Sequence, residues 1–207
     1  MDCPLCNCER NFDVIWSSNN TYVVFDNYGM HYGHILLIPR RHVLNISYDY
    51  NSLKSVLYDV IKVMRSFFHT DICIYEHGNM NENHTNTVSI DHAHIHVIPI
   101  FKNYRTLIRA FQEAAKMNRE VMHDFYNRTQ NKSYHMISIN GERAFYTYDM
   151  LQSQFFRSRY SLCEEKRLWD WKYYGSEIKE NISKYEDKRE KLKKILAKGI
   201  KSGEERI

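Results

Sequence analysis

Residues 91–100 read Asp-His-Ala-His-Ile-His-Val-Ile-Pro-Ile, or DHAHIHVIPI. Side chains on a strand alternate between its two faces. As a strand, this stretch projects His92, His94 and His96 one way and sends Ala93, Ile95 and Val97 into a core. Three imidazoles in register are costly as plain packing. Each ring N–H needs a partner, and each ring is poised to titrate near neutral pH. A single buried histidine is usually satisfied by a backbone carbonyl. Three together suggest chemistry, either at the rings themselves or in a three-histidine metal centre.

Working outward, residues 90–100 are expected to form a strand with Pro99 near its end, where proline is tolerated. Upstream, β-branched and aromatic residues predict a strand over 21–26, and the run HILLIP predicts a buried one over 34–39. Leu53, Val56, Leu57, Val60, Ile61, Met64 and Phe67 follow helical spacing, which predicts an amphipathic helix over about 50–69. A strand over 71–76 and an Asn-rich polar loop over 78–86 lead back to the histidines. Downstream, spacing predicts a helix over 105–125. Asn140-Gly141 between two apolar runs predicts a hairpin of 133–139 and 142–148. A helix over about 149–159 carries Ser-Gln-Phe-Phe-Arg. A Lys/Glu-rich exposed helix or helix pair follows from about residue 176.

The chain has 207 residues, 43% of them hydrophobic, and a net charge of +4, which suits one sizeable core and does not demand a nucleic-acid partner. Only 7 Gly and 3 Pro argue against collagen-like or Pro/Gly-rich disordered chains. No apolar stretch is long enough to span a bilayer. The polar, Cys-rich start, MDCPLCNCER, lacks the pattern of a secretory signal, so a cytoplasmic protein is expected. Three of its five Cys crowd this segment, which in the cytosol reads as metal binding before disulfides.

The motif His92-Ala93-His94-Ile95-His96-Val97-Ile98 resembles the histidine triad of the HIT superfamily. Gly33-His34-Ile35-Leu36-Leu37-Ile38-Pro39-Arg40-Arg41-His42 is similar to the Gly-His-(apolar)-Ile-Pro-Lys/Arg-x-His stretch of that family, and Cys3-Pro4-Leu5-Cys6 to its frequent N-terminal Cys pair. The likeness covers about residues 1–105. A weaker one links the hairpin and Ser153–Arg157 to the C-terminal extension of longer members. The resemblance implies an α+β fold, an antiparallel sheet with helices packed on it, plus a C-terminal hairpin and helical extension. We divide the chain into a HIT-like catalytic domain, 1–125, and an extension, 126–207.

The resemblance also implies a hydrolase or nucleotidyltransferase acting at the α-phosphate of a nucleotide, for which adenosine is the first expectation. His94 would be the nucleophile, carrying a covalent nucleotidyl intermediate, and its second ring nitrogen should donate to a backbone carbonyl. His96 would contact phosphate and help protonate the leaving group. Asp26 would meet the ribose hydroxyls, His34 would stand beside the triad, and Asn81 and Ser89 would approach phosphate. Cys3, Cys6, His42 and His92 would hold a structural Zn2+, with Cys8 as a rival to Cys6; no organic cofactor is implied. The partners implied are a nucleotide and a second copy of the chain, without a membrane and without a requirement for nucleic acid. The rival readings are a metallohydrolase using the histidine cluster and a non-catalytic nucleotide-binding module. In the extension, the aromatics Phe145, Tyr146, Tyr148, Phe155 and Phe156 read first as a packing layer. Arg157 and Arg159 are candidates for meeting phosphate.

Overall fold

The computed structural model describes residues 3–80, 90–149 and 151–201. Asn81 and Ser89 lie outside the described residues. In chain order the elements are α1 (Cys8–Asn11), β1 (Val14–Ser17), β2 (Thr21–Phe25), β3 (Ile35–Pro39), a 3-10 turn (Ile46–Tyr48), α2 (Tyr50–Phe68), β4 (Asp71–Gly78) and β5 (Ile95–Ile100). There follow α3 (Tyr104–Ala114), β6 (Asn118–Val121), α4 (Met122–Arg128), β7 (Tyr134–Ile139), β8 (Arg143–Thr147), α5 (Phe155–Cys163), α6 (Trp171–Ser183) and α7 (Glu186–Gly199). The fold is α+β.

One antiparallel sheet runs in the order β1-β2-β3-β5-β4-β7-β8-β6, so the strand that follows the histidines is central. The sheet is covered on both faces. Val23, Phe25, Ile35, Leu37, Ile74, Ile95 and Val97 pack with α2 and α7 residues such as Leu57 and Leu192. On the other face, Tyr75, Ile98, Ile100 and Ile137 meet Leu107 and Phe111 of α3 and Phe156 and Tyr160 of α5. Near β2 and β3, Leu5 and Cys8 cover that same face over Val24, Leu36 and Ile38. Burial on both faces is why β2 and β3 read as continuous apolar runs. The hairpin of β7 and β8 extends the sheet through β4, across the division we propose at residue 125. Asn140 and Gly141 take left-handed backbone at its turn, with φ of 57° and 76°.

Three expectations are corrected. The helix over 105–125 breaks after Ala114, because residues 118–121 pair with β8 as β6; an open sheet edge overrides helical spacing. The helix over 149–159 starts only at Phe155. Gln154 is left-handed at φ 65°, and the Leu151 N–H is spent on His135 Nε2. The strand over 90–100 starts only at Ile95. Before it, Ala93 N–H donates to Val43 O at 2.7 Å, so this backbone leaves the β3 ladder. His92 and His94 therefore precede the strand, and the three imidazoles do not share one strand face.

Candidate functional site

Within β5, alternation still places His96 on the α5 face. Its cross-strand neighbours are Leu36 of β3 and Tyr75 of β4. His94, just before the strand, turns its ring edge-on to His96, with centroids 4.8 Å apart. His92 turns the other way. The three-histidine stretch is thus split between two corners, one lined by His94 and His96, the other closed by Cys residues.

At the first corner, His94 Nδ1–H donates to His92 O at 2.8 Å, which fixes the tautomer and leaves Nε2 bare. His94 borders a cavity of about 330 Å³. Leu5, Phe12, Leu36 and Ile90 form its apolar wall, and Tyr28, Phe155, Phe156 and Trp171 supply aromatic rings. Burial lowers the pKa of His94, against a smaller upward pull from the His92 carbonyl and Asp26, so its lone pair is free at neutral pH. Burial, reinforced by His94 and His34, depresses His96 far more.

Behind His96 stands a chain of polar groups. His96 Nδ1 is 2.9 Å from His34 Nε2, and His34 Nδ1 is 3.3 Å from Asp26 Oδ2. Met30 N–H points at His34 Nδ1 from 3.2 Å. Burial pushes His34 down to about 4, with Asp26 opposing that shift. Burial alone would raise Asp26. His34, Arg157 and the Tyr28 N–H outweigh it and hold the carboxyl below its ordinary range. The carboxylate lines the cavity and is held from behind, with Oδ1 accepting from Tyr28 N at 2.8 Å and Oδ2 facing Arg157 at 3.4 Å, which leaves further acceptor sites on both oxygens.

The extension builds part of this site. Phe156 stacks flat on Tyr75, with centroids 4.1 Å apart and planes at 7°. Tyr160 Oη donates to Pro99 O at 2.6 Å, and Glu164 accepts from Phe101 N and Lys102 N, so α5 is tied to the end of β5. Trp171 stacks on Tyr28. Arg157 also lines the cavity; the residue is buried and its guanidinium faces Asp26.

One residue was missed entirely. His77 lines the cavity, edge-on to His94 with centroids 5.8 Å apart. The signal for it was available: β4 runs two residues past the expected end at 76, and His77 alternates onto the face of Tyr75.

At the second corner, one ligand atom each from Cys3, Cys6, His42 and His92 lies within 4.8 Å of the others. Cys3 Sγ and Cys6 Sγ are 3.4 and 3.5 Å from His92 Nδ1, and Cys6 Sγ is 3.2 Å from His42 Nδ1. A tetrahedron with metal–sulfur bonds of ~2.3 Å and metal–nitrogen bonds of ~2.0 Å has mixed edges of about 3.5 Å, so this set suits one ion held by two thiolates and two imidazoles. His92 Nε2–H donates to Pro39 O at 2.9 Å, which leaves Nδ1 as the ligating atom, and burial keeps the ring neutral down to about 4. Cys8 is outside the set. Its Sγ bonds Leu5 O at 3.1 Å inside the core, and burial pushes its thiol up to about 12. No helix among the described residues is long and apolar enough to cross a membrane.

A comparison with curated proteins finds no match. Among solved structures, a Hit-like protein involved in cell-cycle regulation from Bartonella henselae is 20% identical, covering 46% of this chain and 75% of its own, with a TM-score of 0.38. A hypothetical histidine triad nucleotide-binding protein from Sulfolobus tokodaii is 21% identical over 47% and 68%, with a TM-score of 0.39. A zinc-bound histidine triad family protein from Mycobacterium smegmatis is 20% identical over 48% and 75%, also at 0.39. Residues 7–103 match the model of the HIT domain, a span that holds His34, His42 and all three histidines of the opening motif. Over that span the chain is similar to the HIT domain.

Proposed function

We propose that this protein is a nucleotide hydrolase or nucleotidyltransferase that works through a covalent nucleotidyl-His94 intermediate. The observation that carries the reading is the His94 ring: Nδ1–H is anchored on His92 O at 2.8 Å, and Nε2 is left bare beside His96 in a cavity of nucleotide-accommodating size. A neutral imidazole lone pair attacks phosphorus without further activation. The His94 Nε2–P bond forms at the α-phosphate as the bond from phosphorus to the leaving oxygen or nitrogen breaks. The leaving group keeps the electron pair and takes a proton from solvent. Water, or another acceptor hydroxyl, then attacks phosphorus, releases a proton, and returns the bonding pair to His94. His96 donates its N–H to the phosphoryl oxygens on the leaving-group side, and the apolar and aromatic walls suit a nucleobase. We read the substrate as an adenosine-type dinucleoside polyphosphate or phosphoramidate, met in the cytoplasm, with the ribose at Asp26.

Cys3, Cys6, His42 and His92 would hold the zinc. With four protein ligands it would be a closed, structural site that fixes the segment carrying His94. The test is to quench the protein during turnover of labelled nucleotides. An acid-labile adduct that disappears in His94→Ala is expected. Absence of an adduct together with unchanged turnover in that variant would sink the mechanism.

A further inference from the structure

We propose that Arg157, delivered by α5 of the extension, is a positioning residue that sets which nitrogen of His96 carries the proton facing the cavity. The proposal deepens the nucleotidyl-transfer reading and rests on it for the job that His96 does. The protonation pattern itself rests on hydrogen bonds alone.

A neutral imidazole holds one N–H, and two groups compete over where that proton sits on His34. Asp26 Oδ2, 3.3 Å from Nδ1, attracts it to Nδ1. Met30 N–H, 3.2 Å away and aimed at the same nitrogen, requires a lone pair there. A ring cannot satisfy both. With the lone pair at Nδ1, the proton of His34 is on Nε2 and donates to His96 Nδ1 at 2.9 Å. His96 Nδ1 is then an acceptor, so His96 carries its own proton on Nε2, the nitrogen left for the cavity. With the proton drawn to His34 Nδ1, every assignment reverses. His96 would donate backward through Nδ1–H and turn a bare lone pair toward bound phosphate oxygens, which repel it.

Arg157 tips this balance. Facing Asp26 Oδ2 from 3.4 Å, it meets the carboxylate charge that would otherwise claim the proton of His34. The Tyr28 N–H takes the other oxygen. The guanidinium is held rigidly, since Nε donates to Trp169 O at 2.8 Å and a terminal nitrogen donates to Tyr28 O. The remaining groups around His96 are the His94 and His77 rings, kept neutral by burial, and the rings of Tyr75 and Phe156. Arg157 is the guanidinium that faces Asp26 directly, while Arg189 acts on the same carboxylate without a direct contact. Asp26, His34 and His96 also lie close enough to suggest a metal site, but the adjoining guanidinium and the direct ring-to-ring hydrogen bond oppose an ion there.

The test is 15N NMR of the histidine rings in the full chain, which separates Nδ1–H from Nε2–H tautomers. Wild type and Arg157→Lys should show His34 and His96 both protonated on Nε2. Arg157→Gln, which keeps an amide for Asp26 and Tyr28 but loses the charge, should move both to Nδ1–H and lower kcat by about 100-fold, the usual effect of removing one donor from a transition state. Asp26→Asn in the same chain should return the Nε2–H pattern, a rescue that a merely structural arginine would not give. A wild-type His34 protonated on Nδ1 overturns the proposal, and this reading needs no variant to fold. Unchanged tautomers in folded Arg157→Gln also overturn it, as does a changed pattern with unchanged kcat. Absence of any nucleotidyl adduct in wild type would instead sink the proposed reaction, leaving the tautomer assignment to stand or fall by NMR.

Discussion

His92 and His94 are separated by one residue, yet their surroundings are of opposite kind. His92 faces two sulfurs and a second imidazole, with Cys6 and His42 exposed to solvent. His94 faces a cavity walled largely by apolar and aromatic groups, with the His92 carbonyl as its hydrogen-bond acceptor. A regular strand would have sent both rings the same way. The irregular backbone of 91–94, tied to Val43 instead of β3, lets one short segment feed two sites. His92 belongs to both: its side chain points at the cysteines, and its carbonyl holds His94. In this arrangement an ion at one corner would act on the other only by steadying backbone.

The largest effect expected from breaking the comparison is in His94→Ala. Removing a nucleophile costs on the order of 10⁴-fold or more in kcat, while zinc content, measured by elemental analysis, should stay at the wild-type level. Equal loss of metal would mean that the two corners are one site.

The burial that keeps the His34 corner neutral should also show in stability against pH, with a sign opposite to that of Glu76. Glu76 sits on β4 between Tyr75 and His77, pointing into the opposite core, where it accepts from Tyr126, Tyr134 and Ile46. Burial raises its carboxyl from 4.5 to about 7, against those three donors. In that window the native state binds the extra proton, so this contribution is whole below pH 4.5 and is lost as pH rises through 7, by about 3 kcal/mol. His34 runs the other way. Lowered from 6.5 to about 4, it leaves the unfolded chain with more protons between those values, so stability rises with pH. Denaturant unfolding at several pH values should therefore show a steeper rise between pH 4.5 and 6.5 in Glu76→Gln than in wild type. Parallel curves would show that Glu76 is ionised throughout.

Much of this architecture was legible because local pattern and tertiary environment agreed. Strand β2, strand β3 and helix α2 were marked by composition and spacing, and Asn140-Gly141 marked the hairpin through its backbone alone. The four residues of the cysteine corner, named from sequence, come together in space, as do Asp26, His34, His94 and His96. What was hidden depended on partners far along the chain. The break after Ala114 is imposed by the edge of β8, 29 residues or more downstream. That Arg157 faces Asp26, 131 positions earlier, is something no local pattern shows. The late start of β5 follows from the Val43 carbonyl, which no alternation of apolar residues reports.

A smaller effect should come from Cys6→Ser. Loss of one thiolate ligand is expected to abolish stoichiometric zinc binding and to lower kcat by roughly 10- to 100-fold, the range typical of a lost supporting contact. The proposed route is the His92 carbonyl, which drifts when its side chain is no longer held. Full kcat in zinc-free, folded Cys6→Ser would cut the link between the corners.

The smallest expected change is in His77→Phe, which keeps a ring edge against His94 but removes both nitrogens. His77 is opposite His135 in the β4–β7 register; His135 Nδ1 is spent on Tyr75 Oη, and of the two it is His77 that lines the cavity. Burial holds it well below its ordinary range when the cavity is empty of charge. A bound polyphosphate reverses that argument, because a nearby anion favours the protonated ring. If His77 meets the phosphate chain, His77→Phe should raise KM by about tenfold, near 1.4 kcal/mol for one charge-assisted contact. The increase should grow with the number of phosphates and leave kcat nearly unchanged. A KM independent of phosphate number would place His77 with Tyr75 and Phe156 as packing, and the working histidines would then be those of β5 and its approach alone.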